Sequence, residues 1–352
     1  MKILIIIPSI ENISGVDYHR LLIPHKMMER TYKDIEYFTA DDLTIVPKDV
    51  LKSIDLVICN RMLSKKGMNA ESLEIMKTID AKLIVDQDDD YQLPNWHIMH
   101  EDAKHANHSK SIIDTMAIAD HVTCTHSNLA NTLKTIYKGK ITLIPNCILP
   151  EDQFELTKEV EKDRLIFGWS GSITHFDDVM EMYESLVPLY KDPILGEKFQ
   201  MVYGGFYKGD IPSEAIAGVL SAKRTAKPEQ FTYIPATTPR EYANFYNEIN
   251  VCLIPLRANR FNENKSNLKM LEAGFKNRAC IVSPVNPYLD LINAGKNCLT
   301  AKNKHDWFKQ MKRLIENPSL RFDLAAQLYE DVQPYHAKHI AEKRYQLYKS
   351  LI

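Results

Sequence analysis

The stretch "VCLIPLRANRFNENKSNLKMLEAGFKNRACIVSP", Val251 to Pro284, decides how this chain folds. An apolar run over 251–256 opens it and a second over 279–284 closes it. Both are short, aliphatic and bounded by turn-forming residues, the pattern of buried strands. Between them the apolar period lengthens. With a helix from about Lys265 turning about 100° per residue, Leu268, Leu271 and Phe275 fall on a face that packs inward. Lys265, Lys269 and Glu272 fall on the face beside it. Asn262, Asn264 and Ser266 suit the helix entry, whose free amides attract an anion, and Arg257 or Arg260 adds a cation upstream. The plain alternative is a surface helix with a simple Lys269–Glu272 pair.

The same alternation extends in both directions. In the first half, strands are expected at 2–7, 56–59, 82–86, 121–125 and 141–145, with helical patterns at 18–30, 69–79, 109–119 and 127–137. A charged stretch, 151–164, reads as a linker. The pattern then restarts with strands at 165–171, 199–205, 231–235, 251–256 and 279–284, and closes with helices at 305–316 and 319–330. Nearly all-apolar strands alternating with helices predict parallel sheets covered on both faces. The chain is therefore α/β, with two doubly wound, Rossmann-like domains at 1–150 and 160–333. A last helix near 334–352 is expected to cross back to the first domain.

Composition narrows the class. The chain has 352 residues, enough for two ordinary domains, and 45% are hydrophobic. A formal net charge of -2 gives no global field for nucleic acid. Six dispersed cysteines form no CxxC pair and read as small buried hydrophobes of a reducing compartment. "MKILIIIPS" reads as a first strand, too short to span a membrane, and the expected location is the cytoplasm.

Open parallel sheets bind ligands outside the carboxyl ends of their strands, and the remaining candidates all fall there. "SIENISGVDYHRLLIP" (9–24) places Gly15 in a loop before a helix, with Arg20 as a phosphate partner or a surface residue. In "GWSGSITHFDD" (168–178), Gly168, Gly171 and Ser172 make a small polar turn that can sit against a ligand, and His175 and Asp177 follow. "LIVDQDDDYQLP" (83–94) runs from an apolar strand into Asp86, Asp88, Asp89 and Asp90. Three readings stand for these carboxylates: an Asp-x-Asp metal site for Mg²⁺ or Mn²⁺, a polar substrate pocket, and a solvated loop. His97, His100, His105 and His108 follow at irregular spacing and read as acceptor-side loop or surface.

The pattern F-N-x-x-K-S-N-L-K-x-x-E-A-G at 261–274, followed by the strand at 279–284, resembles the nucleotide-sugar site of GT-B fold glycosyltransferases. More narrowly it resembles their retaining, family 4-like branch (glycosyltransferase group 1). "SGVDYHR" (14–20), "IPNCI" (144–148), "GWSGSITH" (168–175) and "YIPATTPREYANFYNEINVCLIPL" (233–256) agree. The resemblance implies two domains facing a cleft and a nucleotide-diphosphate sugar, expected to be a UDP-sugar, held mainly by the second. Glu272 would bind the ribose. Amides of Ser266, Asn267 and Leu268 would meet the diphosphate, with Gly15, Gly171 and Ser172 close by, and Tyr233 and Ile234 would lie near the base. The chain departs from the family in two places. The family often has a glutamate eight residues before the second one, where this chain has Asn264. It also usually places an arginine and a lysine after the first strand of the second domain, where this chain has Ser170, Gly171, Ser172 and His175. The diphosphate counter-charge is therefore assigned to Lys265, supported by Lys269 or Arg257.

The resemblance further implies a hexosyl transfer that retains configuration and needs no cofactor or divalent metal. The leaving phosphate would take the acceptor's proton. Lys265 and His175 are then the catalytic candidates, with Asp88 and Asp89 orienting an acceptor hydroxyl on a glycan or small molecule. Two competing functions follow. A phage-type DNA glycosyltransferase would act on a hydroxymethylated base and would need a basic rim, for which Lys223-Arg224-Lys227 and Lys309-Lys312-Arg313 are modest candidates. A decayed nucleotide-sugar-binding protein would keep the donor and lose turnover. A dinucleotide oxidoreductase is disfavoured, because no GxGxxG follows either first strand.

Overall fold

The computed structural model describes residues 1–8, 13–64, 69–157, 163–223 and 225–352. They build two parallel sheets of six strands. The first runs in the order β2-β1-β3-β4-β5-β6. Its strands are β1 Lys2–Ile6, β2 Glu36–Ala40, β3 Leu56–Asn60, β4 Lys82–Gln87, β5 His121–Cys124 and β6 Ile141–Leu143. The second runs β12-β11-β10-β7-β8-β9. Its strands are β7 Leu165–Ser170, β8 Phe199–Phe206, β9 Phe231–Pro235, β10 Val251–Ile254, β11 Ala279–Val282 and β12 Leu299–Thr300. The doubly wound α/β expectation is met. β2 and β12 are additional to the expected strands, and both are edge strands. An edge strand is not buried on both faces, so "EYFTA" lacks the continuous apolar signature, and β12 is two residues long.

The chain divides into two compact units: Met1–Leu149 with Glu263–Ser266 and Tyr335–Ile352, and Pro150–Asn262 with Asn267–Pro334. The stretch read as a linker is packed into the second unit where it is described. A turn over Pro150–Phe154 buries Phe154, and the Glu155 carbonyl accepts from Lys276 Nζ at 2.9 Å. Residues 158–162 of that stretch lie outside the described residues.

Period-two alternation sorts the first sheet into two faces. Leu4, Ile6, Val57, Cys59, Leu83 and Val85 pack on one. Ile3, Ile5, Ile58 and Ile84 pack on the other, where Ile340, Ala341 and Tyr348 cover them. Those covering residues belong to the last helix, Ala337–Lys349. Its Tyr345 ring stacks on Tyr32 at 3.8 Å, and Tyr348 stacks on His25 at 5.7 Å. Each fully buried aliphatic side chain here contributes about 1.5–3 kcal/mol. All six cysteines are buried thiols.

The last helix is also held by charge. Asp86, near the end of β4, has no exposure to water. Its carboxylate accepts from Arg20 Nη2 at 2.5 Å and Nε at 3.1 Å, from Arg344 Nη2 at 2.9 Å and from Thr123 Oγ1 at 3.0 Å. Arg20 is thus neither a phosphate partner nor a surface residue. It is buried, and its Nη1 also donates to the Ile144 carbonyl at 2.6 Å. Burial alone raises a carboxyl pKa, but the charges of Arg20 and Arg344 outweigh it and hold Asp86 below its ordinary value.

A depressed folded pKa gives stability that is present above the unfolded value, about 3.9, and is lost as pH falls through the folded value. Asp86→Asn is expected to cost about 3–5 kcal/mol, because it strands two buried guanidiniums. Urea unfolding measures this, and limited proteolysis should show 337–349 released first. A loss under about 1 kcal/mol with that helix still protected would show that apolar packing alone holds it.

Candidate functional site

A parallel sheet whose strand order reverses leaves a crevice at the carboxyl ends of the two strands flanking the reversal. In the second sheet these are β7 and β10, since β8 continues on one side of β7 and β11 on the far side of β10. Ser170 ends β7, and Gly171 and Ser172 follow it. Ser172 accepts from Thr174 N at 3.3 Å and caps a single turn, Ile173–His175. His175 Nδ1 donates to Asp178 Oδ2 at 2.7 Å, since a carboxylate can only accept. Asp178 Oδ1 accepts from the Arg257 amide and from Asn262 Nδ2, both at 2.9 Å. Asp178, not Asp177, is therefore the histidine's partner, and it ties the loop after β7 to the loop after β10. Asp177 lies 3.9 Å from Arg257, whose half-exposed guanidinium also meets Glu181 at 3.3 Å.

The helix expected from Lys265 begins three residues later, as Leu268–Phe275. Asn267 stands at its N-cap without a side-chain capping bond, and Leu268 is half-buried. Lys269 and Glu272 are helical neighbours, and Lys265 lies outside the helix. Lys269 Nζ donates to the Ser170 carbonyl, which brings an ammonium to the end of β7. Glu272 is 3% exposed. It accepts from Tyr246 Oη at 2.7 Å and Tyr242 Oη at 3.2 Å. Burial pushes the Glu272 carboxyl above the ordinary carboxylate range, against the Lys269 charge and the two hydroxyls.

Two glycines allow the tyrosines to reach it. Tyr242 and Tyr246 lie in a 3-10 segment, Tyr242–Asn247, that packs directly on the sheet. A Cβ on Gly168 would meet Ile249 at 2.4 Å, and one on Gly204 would meet Phe245 at 2.5 Å. Gly168 therefore serves the packing of β7, not a ligand turn. A Cβ on Gly171 would meet the Trp169 ring at 2.8 Å. Tyr233 and Ile234 lie on the edge strand β9, with β8 between them and β7. Tyr233 is 49% exposed and packs on the Phe206 ring at 4.2 Å. They do not join the cluster at the β7–β10 junction.

In the first sheet the order reverses at β1 and β3. Gly15 opens a helical turn capped by Ser14, and nothing lies within 4 Å of a Cβ placed there, so crowding does not require glycine. Residues 9–12 of that loop lie outside the described residues. Arg61 follows β3 in the left-handed region, φ 66°, a strained position for a non-glycine residue. Its Nε donates to Asp88 Oδ1 at 2.9 Å, and its Nη2 lies 3.5 Å from Asp89 Oδ2. Lys265 Nζ lies 3.9 Å from the same Asp89 oxygen. Ser266 Oγ accepts from Asn146 Nδ2 at 2.7 Å. So Lys265, Asp88 and Asp89 are brought together in the first unit, whereas His175, Lys269 and Glu272 gather in the second. Of the four aspartates Asp89 is the least buried. Burial raises its carboxyl pKa despite Lys265, and its Oδ1 has no hydrogen-bond partner among the described residues. His97 is buried, and burial followed by the Lys265 charge lowers its pKa. His100 Nδ1 sits 2.9 Å from the Leu93 carbonyl.

Among the described residues, no group of three or more His, Cys, Asp and Glu is arranged to hold a metal ion, and no helix is long and apolar enough to cross a membrane. Arg61, Asp178, Tyr242 and Tyr246 are not singled out by the sequence. Two tyrosines four residues apart just before a strand are the available signal. Tyr246→Phe leaves a buried carboxylate short of its closer donor, so it is expected to lower stability by about 1–3 kcal/mol. Tyr242→Phe, with the longer bond, is expected to cost less. Equilibrium unfolding of the two variants checks the order.

Residues 203–346 match the family described as Glycosyl transferase-like. No curated protein matches the chain. Among solved structures, sucrose-phosphate synthase (tll1590) from Thermosynechococcus elongatus superposes with a TM-score of 0.72 at 15% identity, over 100% of this chain and 99% of that one. Anabaena Alr3699/HepE in complex with UDP-glucose gives 0.68 at 11% identity, over 99% and 100%. A glycosyltransferase from Rickettsia africae ESF-5 gives 0.67 at 13% identity, over 99% and 98%. At these identities the structures speak for the fold, and the family match speaks for the residues that carry Glu272, Lys269 and both tyrosines. Two parallel six-stranded sheets and whole-length superposition give this chain the GT-B fold of those structures, and within it residues 203–346 are similar to the Glycosyl transferase-like family.

Proposed function

We propose that this chain transfers a sugar from a nucleoside-diphosphate sugar to a hydroxyl acceptor, with retention and without a divalent metal. The observation that carries the reading is Glu272. It is a buried carboxylate one helical turn from the Lys269 ammonium, on a helix that starts beside the β7–β10 switch point, aimed by two tyrosine hydroxyls. A carboxylate so placed suits a vicinal diol such as a ribose. The uncapped N-terminus of the Leu268–Phe275 helix and Lys269 suit a diphosphate, whose departure needs positive charge and amide donors. Gly171 and Ser172 border the same place.

UDP is the nucleotide we infer, supported by the fold likeness to a protein whose structure holds UDP-glucose. Lys265 is the second cation for the leaving group. His175, oriented through Nδ1 by Asp178, faces the reacting sugar in this reading. On the acceptor side, Asp89 receives the hydroxyl, with Asp88 behind it fixing Arg61. Tyr233, Ile234, Arg257 and Gly15 are outlying donor contacts. No observation favours a nucleic-acid acceptor. Lys227 pairs with Glu197 at 2.5 Å and Lys312 with Glu316 at 3.6 Å, Lys223 lies over the Tyr183 ring, and Arg224 lies outside the described residues.

The test is nucleotide release from UDP-, GDP-, ADP- and TDP-sugars, with and without EDTA. Release from one donor that survives EDTA is expected. Loss in EDTA with recovery in Mn²⁺ would return the aspartates to a metal role. Donor binding without turnover would favour the binding-protein reading. Glu272→Gln is expected to weaken donor binding at least tenfold, about 1.4 kcal/mol. The same change is expected to raise the melting temperature. A carboxyl with a raised folded pKa costs stability above its unfolded value, about 4.3, so the gain should grow as pH rises from there. Unchanged donor affinity would sink the ribose assignment.

A further inference from the structure

Residues 263–266 leave the second half of the sequence and belong to the first unit. They form a short strap just ahead of the Leu268–Phe275 helix. At its centre Asn264 has no exposure to water and uses both ends of its amide. Oδ1 accepts from Asn128 Nδ2 and Thr132 Oγ1, both at 3.1 Å, and Nδ2 donates to Asp90 Oδ2 at 2.9 Å. Asp90 Oδ1 in turn accepts from Gln92 N at 3.1 Å. The position must accept on one side and donate to a carboxylate on the other. An amide does both, whereas an ionised carboxylate can only accept. A glutamate or aspartate at 264 would set two carboxylates within hydrogen-bond distance, where both cannot stay ionised.

We propose that Asn264 is a positioning residue for sugar transfer: by its complementarity to Asp90 it pins the strap and so sets where Lys265 presents its ammonium. This rests on the reading of Lys265 as a cation for the departing diphosphate. It also accounts for the departure from the resembling family at this position.

The test compares the full chain with Asn264→Asp, Asp90→Asn, the double exchange and Lys265→Ala, on the donor that the wild type turns over. At pH 8, N264D is expected to lose about tenfold in kcat with donor KM nearly unchanged, as for an interaction that matters mainly in the transition state. The double exchange restores the pair with donor and acceptor reversed. The amide, moved to position 90, can donate to the carboxylate at position 264 and still accept from Gln92 N. It is expected to recover to within about threefold of wild type. The N264D deficit, taken against wild type at each pH, is expected to shrink toward pH 6 as the two facing carboxylates come to share a proton. That ratio cancels titration common to both proteins among the other charged groups there: Asp88, Asp89, Arg61, Lys265, His97 and Glu263. A double exchange no better than N264D, or a deficit independent of pH, would overturn the pairing. Recovery of melting temperature without recovery of kcat would make Asn264 an anchor of the fold alone and overturn the positioning role. Lys265→Ala with full turnover would instead remove the Lys265 reading on which the inference stands, whatever the exchange does.

Discussion

A carboxylate cut off from water sits at the end of β4, and the architecture of the first unit depends on how it is neutralised. Asp86 could not be buried alone, because the desolvation of an isolated charge exceeds what a small domain has to spare. It is tolerated because Arg20 and Arg344 meet it directly and Thr123 takes one lone pair. Those arginines lie near opposite ends of the sequence. Neutralising one side chain therefore draws the turn after β1 and the last helix to the same point of the sheet. The other three aspartates are engaged in the same manner, Asp88 by Arg61, Asp89 by Arg61 and Lys265, and Asp90 by Asn264. The acidic run fastens the end of β4 to the turn after β1, the residue after β3, the 263–266 strap and the last helix.

The second unit handles its buried charge differently. Glu272 receives hydroxyls from two tyrosines and has an ammonium nearby, and its pKa is raised. Neutral hydroxyls orient a carboxylate without compensating its charge, and burial outweighs the Lys269 ammonium. The contrast separates the two carboxylates by role. Asp86 is held below its ordinary pKa by two guanidiniums and is structural, while Glu272 is oriented by hydroxyls with its pKa raised, which suits a group that meets a ligand.

Most of the fold was legible because parallel sheets write themselves in apolar runs. Ten strands announced themselves as short apolar runs, and the two that did not, β2 and β12, lie at edges of their sheets. The helix around Glu272 was legible in period but not in start. "NENKSN" reads as a helix entry, yet the side chains of Asn264, Lys265 and Ser266 bond within the first unit, and local pattern cannot reveal a tertiary partner. For the same reason Lys265 and Glu272 looked like one face and belong to different units. Arg20 shows the limit most plainly. An arginine after a glycine loop has the composition of a phosphate site, and only the position of Asp86 shows that its charge is already spoken for. Tyr242 and Tyr246 were hidden because what delivers them is an absence of side chain at Gly168 and Gly204, two strand positions that give no functional signal.

The first unit is assembled from three separated segments, the last of them Tyr335–Ile352. During synthesis from the N-terminus, every strand of both sheets has been made before the Ala337–Lys349 helix exists. The face carrying Ile3, Ile5, Ile58 and Ile84 is until then covered only by earlier residues such as Leu21, Ile23 and Met28, with Asp86 and Arg20 lacking their third partner, while the second unit is translated. The later half of the gene encodes the unit able to finish folding first. The earlier half waits as an open apolar sheet with exposed edges, the kind of species that aggregates or recruits a chaperone. A nascent chain stalled or cleaved short of Arg344 would leave a first unit missing part of the cover of one sheet face and one side of its buried ion cluster.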